Sequence, residues 1–269
     1  MLFQRLIWCA LAVAVLLGSA QSLIQQVQTV PLILAAEVFE EAAAAAPVVA
    51  AAHDHAATAH AHEAHEAHEH DAHAWSPAEG FERNAWTWVA NVLHAFSMAL
   101  LVLAAMGLWT TRRGATSPWR LAAAVAASGW LSLHFWPSLG LPAEVPGMEA
   151  AALGARQAWW LLAVVCAASA CATVGFGQRR WRFIAAAALL ALPFVVGAPQ
   201  PAGDALAGYS GDTHARMVAL AREFVWATTW LSLSFWGLMG AIGAVVYGRW
   251  LQPLLVAQRG MPRDHLAPA

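Results

Sequence analysis

The chain has 269 residues, 60% of them hydrophobic and only 11% charged, with a formal net charge of −2. A soluble domain carries about a quarter of its residues as charged side chains, so the composition excludes an ordinary soluble domain and indicates the membrane class. All fourteen basic residues are arginine; without a lysine there is no Walker A phosphate loop, and neither a nucleotide nor a nucleic acid is expected as a partner.

A hydrocarbon core needs about 20 mostly apolar residues per helical span. Six stretches qualify: 6–34, 86–109, 119–139, 157–175, 181–197 and 224–250. Helices satisfy their own backbone hydrogen bonds in lipid, so the expected fold class is an all-α integral membrane protein with six transmembrane helices. Arg5, the apolar run after it and Gly18-Ser19-Ala20 also resemble a cleavable secretory signal. Apolar character resumes at Val27 and continues to Leu34, which favours a retained helix. The divisions read from the sequence are 1–36 (first helix), 37–85 (His-rich loop), 86–139 (second and third helices) and 140–156 (Pro/Gly loop). They continue with 157–197 (fourth and fifth helices), 198–223 (loop), 224–250 (sixth helix) and 251–269 (tail).

Arginine placement sets the orientation. With both termini in the cytoplasm, ten arginines lie inside and four (Arg83, Arg156, Arg216 and Arg222) outside, while fifteen of the sixteen acids lie outside. The segment 37–85 then faces the periplasm, and the chain belongs in a bacterial inner membrane. Trp130-Leu131-Ser132-Leu133-His134-Phe135-Trp136 matches Trp230-Leu231-Ser232-Leu233-Ser234-Phe235-Trp236 at six of seven positions. The two copies fall in spans of opposite direction, so a 3+3 inverted repeat is a candidate plan.

Eight of the twelve histidines crowd residues 53–73: His53, His55, His60, His62, His65, His68, His70 and His73. A neutral imidazole coordinates transition metals, with the interleaved carboxylates as harder supplementary ligands. No fixed four-ligand spacing is present, so the segment reads as a multivalent metal trap. Within the spans no carboxylate is deep, and no nucleophile–base set or paired carboxylates suggest an enzyme. Asn91, His94 and Met98 share one face of the second span, and an intramembrane histidine is a functional candidate. His134 lies near the outer end of the third span. Gln21, Gln25 and Gln28 line one face of the first, either joining helices or lining a hydrated path. Glu37, with Glu40 and Glu41, forms an acidic collar outside. His94 and His134 are the candidate relay ligands, with Met98, Asn91, Gln25 and Glu37 as further pathway residues. The three cysteines form no CxxC pair, which argues against a thiolate site.

Several segments in order carry a family resemblance: Val30-Pro31-Leu32-Ile33-Leu34-Ala35-Ala36-Glu37, the His/Glu loop, and Trp75-Ser76-Pro77-Ala78-Glu79-Gly80-Phe81-Glu82-Arg83. After them come Leu139-Gly140-Leu141-Pro142, Val145-Pro146-Gly147-Met148, Leu153-Gly154-Ala155-Arg156-Gln157-Ala158-Trp159-Trp160 and Gly197-Ala198-Pro199-Gln200-Pro201. With them the chain resembles the CbtA family of predicted cobalt transporter subunits. The resemblance implies transport of Co2+, with Ni2+ or Zn2+ as competing ions, linked to cobalamin synthesis and working with a small membrane subunit of the CbtB type. His134 stands where the family has a histidine before its Gly-Leu-Pro turn. Phe194 stands where similar proteins often carry a second histidine after a proline. The alternatives to uptake are a membrane-anchored metal-binding or sensor protein and a metal exporter.

Overall fold

The computed structural model describes residues 2–45, 77–78 and 80–260. Every regular element among the described residues is helical. The apolar N-terminal run forms α1, Leu2–Gln28. A turn at Thr29 separates it from α2, Val30–Ala45. Pro31 brings no N–H to this point, yet Thr29 N–H donates to Gln25 O and Ile33 N–H to Thr29 O, each at 3.0 Å, so the helical path continues through the break. Helix thus extends into the 37–85 segment at its start, and α3, Phe81–Arg113, already begins before its end. Arg112 and Arg113 close α3, where cations complement the helix dipole.

Pro118 opens α4, Pro118–Trp130, at the position where its missing N–H costs nothing. A π-helical turn, Leu131–Phe135, and the short α5, Trp136–Ser138, follow. The remaining helices are α6 (Leu153–Phe176), α7 (Trp181–Val196) and α8 (Gly211–Val246). A second π turn, Tyr247–Leu251, leads into α9, Gln252–Gly260.

Four helical stretches are long and apolar enough to cross a membrane: Leu2–Gln28, Phe81–Arg113, Leu153–Phe176 and Gly211–Gln258. Two of the six expected spans fall short of that standard. The third is divided by its π turn, which leaves an α-helical part of 13 residues. The fifth, α7, has 16 residues, a rise of about 24 Å against a core of about 30 Å.

The main core joins α1, α3, α4 and α8 around Leu17, Leu103, Met106, Met239 and Tyr247. Backbones approach closely where small residues meet, the usual basis of helix packing in lipid. Gly18 lies against Val92, where an added Cβ would sit 2.7 Å from the Val92 Cα. Gly129 lies against the Trp236 ring, and a Cβ on Gly240 would be 3.2 Å from that of Ala126. The second of the two similar heptapeptides thus reaches the residue just before the first, and their backbones differ: the first holds the π turn, while the second is uninterrupted α-helix. The buried Tyr247 hydroxyl, 3.0 Å from Met106 O and 2.7 Å from Thr110 Oγ1, ties the second π turn to α3.

The bundle has two chemically different ends. At one, Arg113 donates to Phe176 O (2.7 Å), Arg182 to Gly177 O (2.7 Å) and the Gln252 amide to Thr116 O (2.7 Å). At the other lie the pairs Glu37–Arg83 and Glu144–Arg156, together with a small second core of Ala36, Val145, Leu206 and Met217. Exposed tryptophans mark both ends, with Trp119, Trp181 and Trp250 at the first and Trp86, Trp88 and Trp226 at the second. Such rings suit a membrane–water boundary.

Gly18→Leu is expected to destabilise the detergent-solubilised protein by about 1–3 kcal/mol, because nothing can yield at the Val92 backbone. Gly154→Leu, with open space around it, should leave thermal unfolding unchanged; equal melting of both variants would refute the close-packed α1–α3 contact.

Candidate functional site

The eight loop histidines lie outside the described residues. Where the chain enters and leaves that segment, Glu37 on α2 and Arg83 on α3 form an ion pair of 2.8 Å. Below it runs a polar seam between α1 and α3. Gln26 donates to Asn84 Oδ1 (2.9 Å) and Trp88 Nε1 donates to Ser19 Oγ (3.0 Å). Gln25 and Asn91 exchange amide hydrogen bonds of 2.7 and 3.3 Å, and the Asn91 amide also donates to Ser22 Oγ (2.9 Å). Of the expected pathway residues, Gln25 and Asn91 are thus brought together, and each occupies the other.

The expected glutamine face of α1 divides. Gln21 turns to α8 and donates to Leu231 O (3.2 Å), its Oε1 buried without a partner among the described residues, whereas Gln28 is exposed. Ser22 and Asn84 are seam residues to which the sequence alone assigns no role. Their signal was present in the spacing: Asn84 and Asn91 are seven apart, hence on one helical face, and face Ser22, Gln25 and Gln26 across it.

His94 is exposed on the bundle surface at membrane depth, its ring 5.2 Å from that of Phe235 on α8. Met98, one turn on, packs against the main core. His134 sits in the π turn, a departure from α geometry that recurs at functional sites. Its Nε2 is buried without a hydrogen-bond partner among the described residues, and so is Trp130 Nε1 one turn earlier. The two rings are 6.4 Å apart. In the same turn Ser132 Oγ lies 3.9 Å from Cys171 Sγ of α6. The two histidines do not meet. His94 touches Phe235, Phe235 packs edge-on to Trp236 at 5.6 Å, and Trp236 lies against Gly129, next to Trp130.

Phe194 fills the space between Trp136 (5.6 Å) and Trp159 (5.9 Å). Trp136 Nε1 donates to Leu190 O (3.0 Å) and Trp159 Nε1 to Pro193 O (2.9 Å), supporting α7 around the proline inside it. At the same end the Val145–Met148 turn passes Tyr209 through Gly147, whose φ of 83° suits a residue without Cβ. Burial and the neighbouring Glu40 push the Tyr209 phenol above its usual range.

Among the described residues no group of three or more His, Cys, Asp or Glu is placed to hold a metal ion. What the geometry defines is a multi-pass helical membrane protein, polar and charged at one end, with isolated imidazoles in the bundle. The chain matches the family described as "Probable cobalt transporter subunit (CbtA)" over residues 3–248, and it belongs to that family. No curated protein and no solved structure matches it.

Asn91→Leu should leave the Gln25 amide without its partner and lower stability in bicelles by about 1–2 kcal/mol. The double variant with Gln25→Leu should recover part of that loss. Strictly additive losses in a double-mutant cycle would show that the pair is not coupled.

Proposed function

We propose that the chain is the membrane subunit of a cobalt uptake system, working with a small partner of the CbtB type and serving cobalamin synthesis. In this reading the chain crosses a bacterial inner membrane six times, with both termini in the cytoplasm. The passage of α1, α3, α4–α5, α6, α7 and α8 back and forth between the arginine-rich and acidic ends supports that count. The shorter passes, α4–α5 and α7, would be accommodated by local thinning of the bilayer.

The observation that carries the reading is the charge segregation. The roots of the histidine-rich segment, at Glu37 and Arg83, belong to the end that gathers the acids, and the opposite end gathers arginine. The loop histidines concentrate a divalent ion, with Ni2+ and Zn2+ as competitors. Weak binding at many sites lets the ion leave again. His134 within the bundle and His94 on its surface are the relay ligands, and the seam residues Gln25 and Asn91 join α1 to α3, the helix that carries His94.

Replacing the eight loop histidines with alanine should reduce accumulation of radioactive cobalt severalfold at limiting metal and little at saturating metal. Undiminished accumulation at limiting metal would remove the capture role. His134→Ala should reduce accumulation at both concentrations while leaving metal retention by the loop intact. A periplasmic reporter inserted near residue 60 that stays inactive would overturn the orientation.

One observation favours a second reading, a metal-binding sensor that moves no ion: His94 and His134 are separated by aromatic rings. Labelled-metal flux in proteoliposomes distinguishes the two, and the direction of that flux distinguishes uptake from export.

A further inference from the structure

At the acidic end a pocket of about 280 Å3 lies beneath the two Pro/Gly connections. Its walls include Pro142, Pro199 and Pro201, whose locked φ angles stiffen the loops. Glu149 N–H donates to Ala205 O at 2.9 Å and joins one loop to the other. The volume is close to the lower bound of small-molecule sites, about 300 Å3.

Four ionisable side chains line the pocket: Glu144, Glu149, Arg156 and Arg222. Arg156 Nη2 pairs with Glu144 at 2.6 Å, yet Arg156 Nε is buried and has no acceptor among the described residues. A buried donor left unpaired is costly, and a guanidinium is shaped to grip a carboxylate with more than one N–H. Arg222 is exposed and has no ion-pair partner among the described residues. Beside these cations the Val145–Met148 turn and the residue after it bring a thioether, Met148, and a carboxylate, Glu149, to the same lining.

This lining is ill suited to either simple ion. Two guanidinium groups repel a bare divalent cation, and two carboxylates repel a bare polyanion. A metal already chelated by a small organic acid carries both signs, with carboxylate oxygens turned outward and coordination positions left open. We propose that the pocket binds a divalent transition metal as its complex with a small organic carboxylate. Arg156 Nε–H and Arg222 hold the carboxylate, and Glu149 with Met148 approach the ion. The choice of ion rests on the transport reading above; the pocket adds the chemical form in which that ion is received.

The test is equilibrium binding of radiolabelled citrate to the full-length protein in nanodiscs, with and without Co2+. One citrate should be retained per protein only when Co2+ is present. Arg222→Ala should weaken retention by about tenfold, the loss expected for one charge-assisted contact. Arg156→Lys, which keeps a cation beside Glu144 but removes the Nε–H, should do the same. Both variants are compared only after they elute and melt like the unaltered protein. The proposal is overturned if citrate does not bind with Co2+, if it binds equally without metal, or if both arginine variants retain it fully. A variant lacking the eight loop histidines should keep citrate–Co2+ binding. Citrate–Co2+ binding in a protein that moves no metal in proteoliposomes would defeat the transport reading and leave the pocket standing, whereas metal flux without citrate binding would do the reverse.

Discussion

The seam between α1 and α3 shows the constraint under which the rest of the molecule is built. In hydrocarbon a polar group that does not find a protein partner finds none at all. The seam answers this by reciprocity: Gln25 and Asn91 each give and receive, Ser22 takes a second hydrogen from Asn91, and Ser19 accepts from Trp88. Above them Glu37 and Arg83 neutralise one another. Because Gly18 lets the α3 backbone come close, these short side chains can reach across. Packing and polar pairing therefore depend on each other. The seam also fixes the spacing of the two helices from which the histidine-rich segment departs and to which it returns.

The same constraint gives meaning to the exceptions. Gln21 Oε1, Trp109 Nε1, Trp130 Nε1, His134 Nε2 and Arg156 Nε are buried without partners among the described residues. Two of the five share one turn of helix, beside the π-helical segment, and a third lines the outer pocket. Between His94 and His134 the rings of Phe235 and Trp236 form an apolar partition. An ion would have to pass around it, and a family described as a transporter subunit is one in which a second chain can supply part of the route.

Much of this architecture was legible in the sequence, and the limits have physical causes. Apolar length located the four long helices, α1, α3, α6 and α8, because a hydrophobic run of such length in lipid has few other solutions. Pro118 and the Arg112-Arg113 pair mark helix ends by mechanisms that depend on local chemistry alone. The break at Thr29 was not seen, since Pro31 looked like part of a continuous apolar run. Nor was the π turn at Leu131–Phe135 foreseen: the similar 230–236 segment remains α-helical, but the first copy is followed by Pro137, which has no N–H to give to the carbonyl four residues back, where the second is followed by Gly237. Likewise Gln21, Gln25 and Gln28 appeared as one polar stripe. Only tertiary placement reveals that the first two serve different helices and the third serves none.

Phe194 has a mechanical consequence. With Trp136 and Trp159 it clasps α7 to α6, and the two indole N–H groups latch onto α7 carbonyls. The α6–α7 pair is tied to the remaining helices at three places: Arg113 on Phe176 O and Ser132 beside Cys171, both on α6, and Trp136 on Leu190 O of α7. Both members of the pair are therefore moored, α6 along its length and α7 near the proline inside it, so that a shift of one must carry the other.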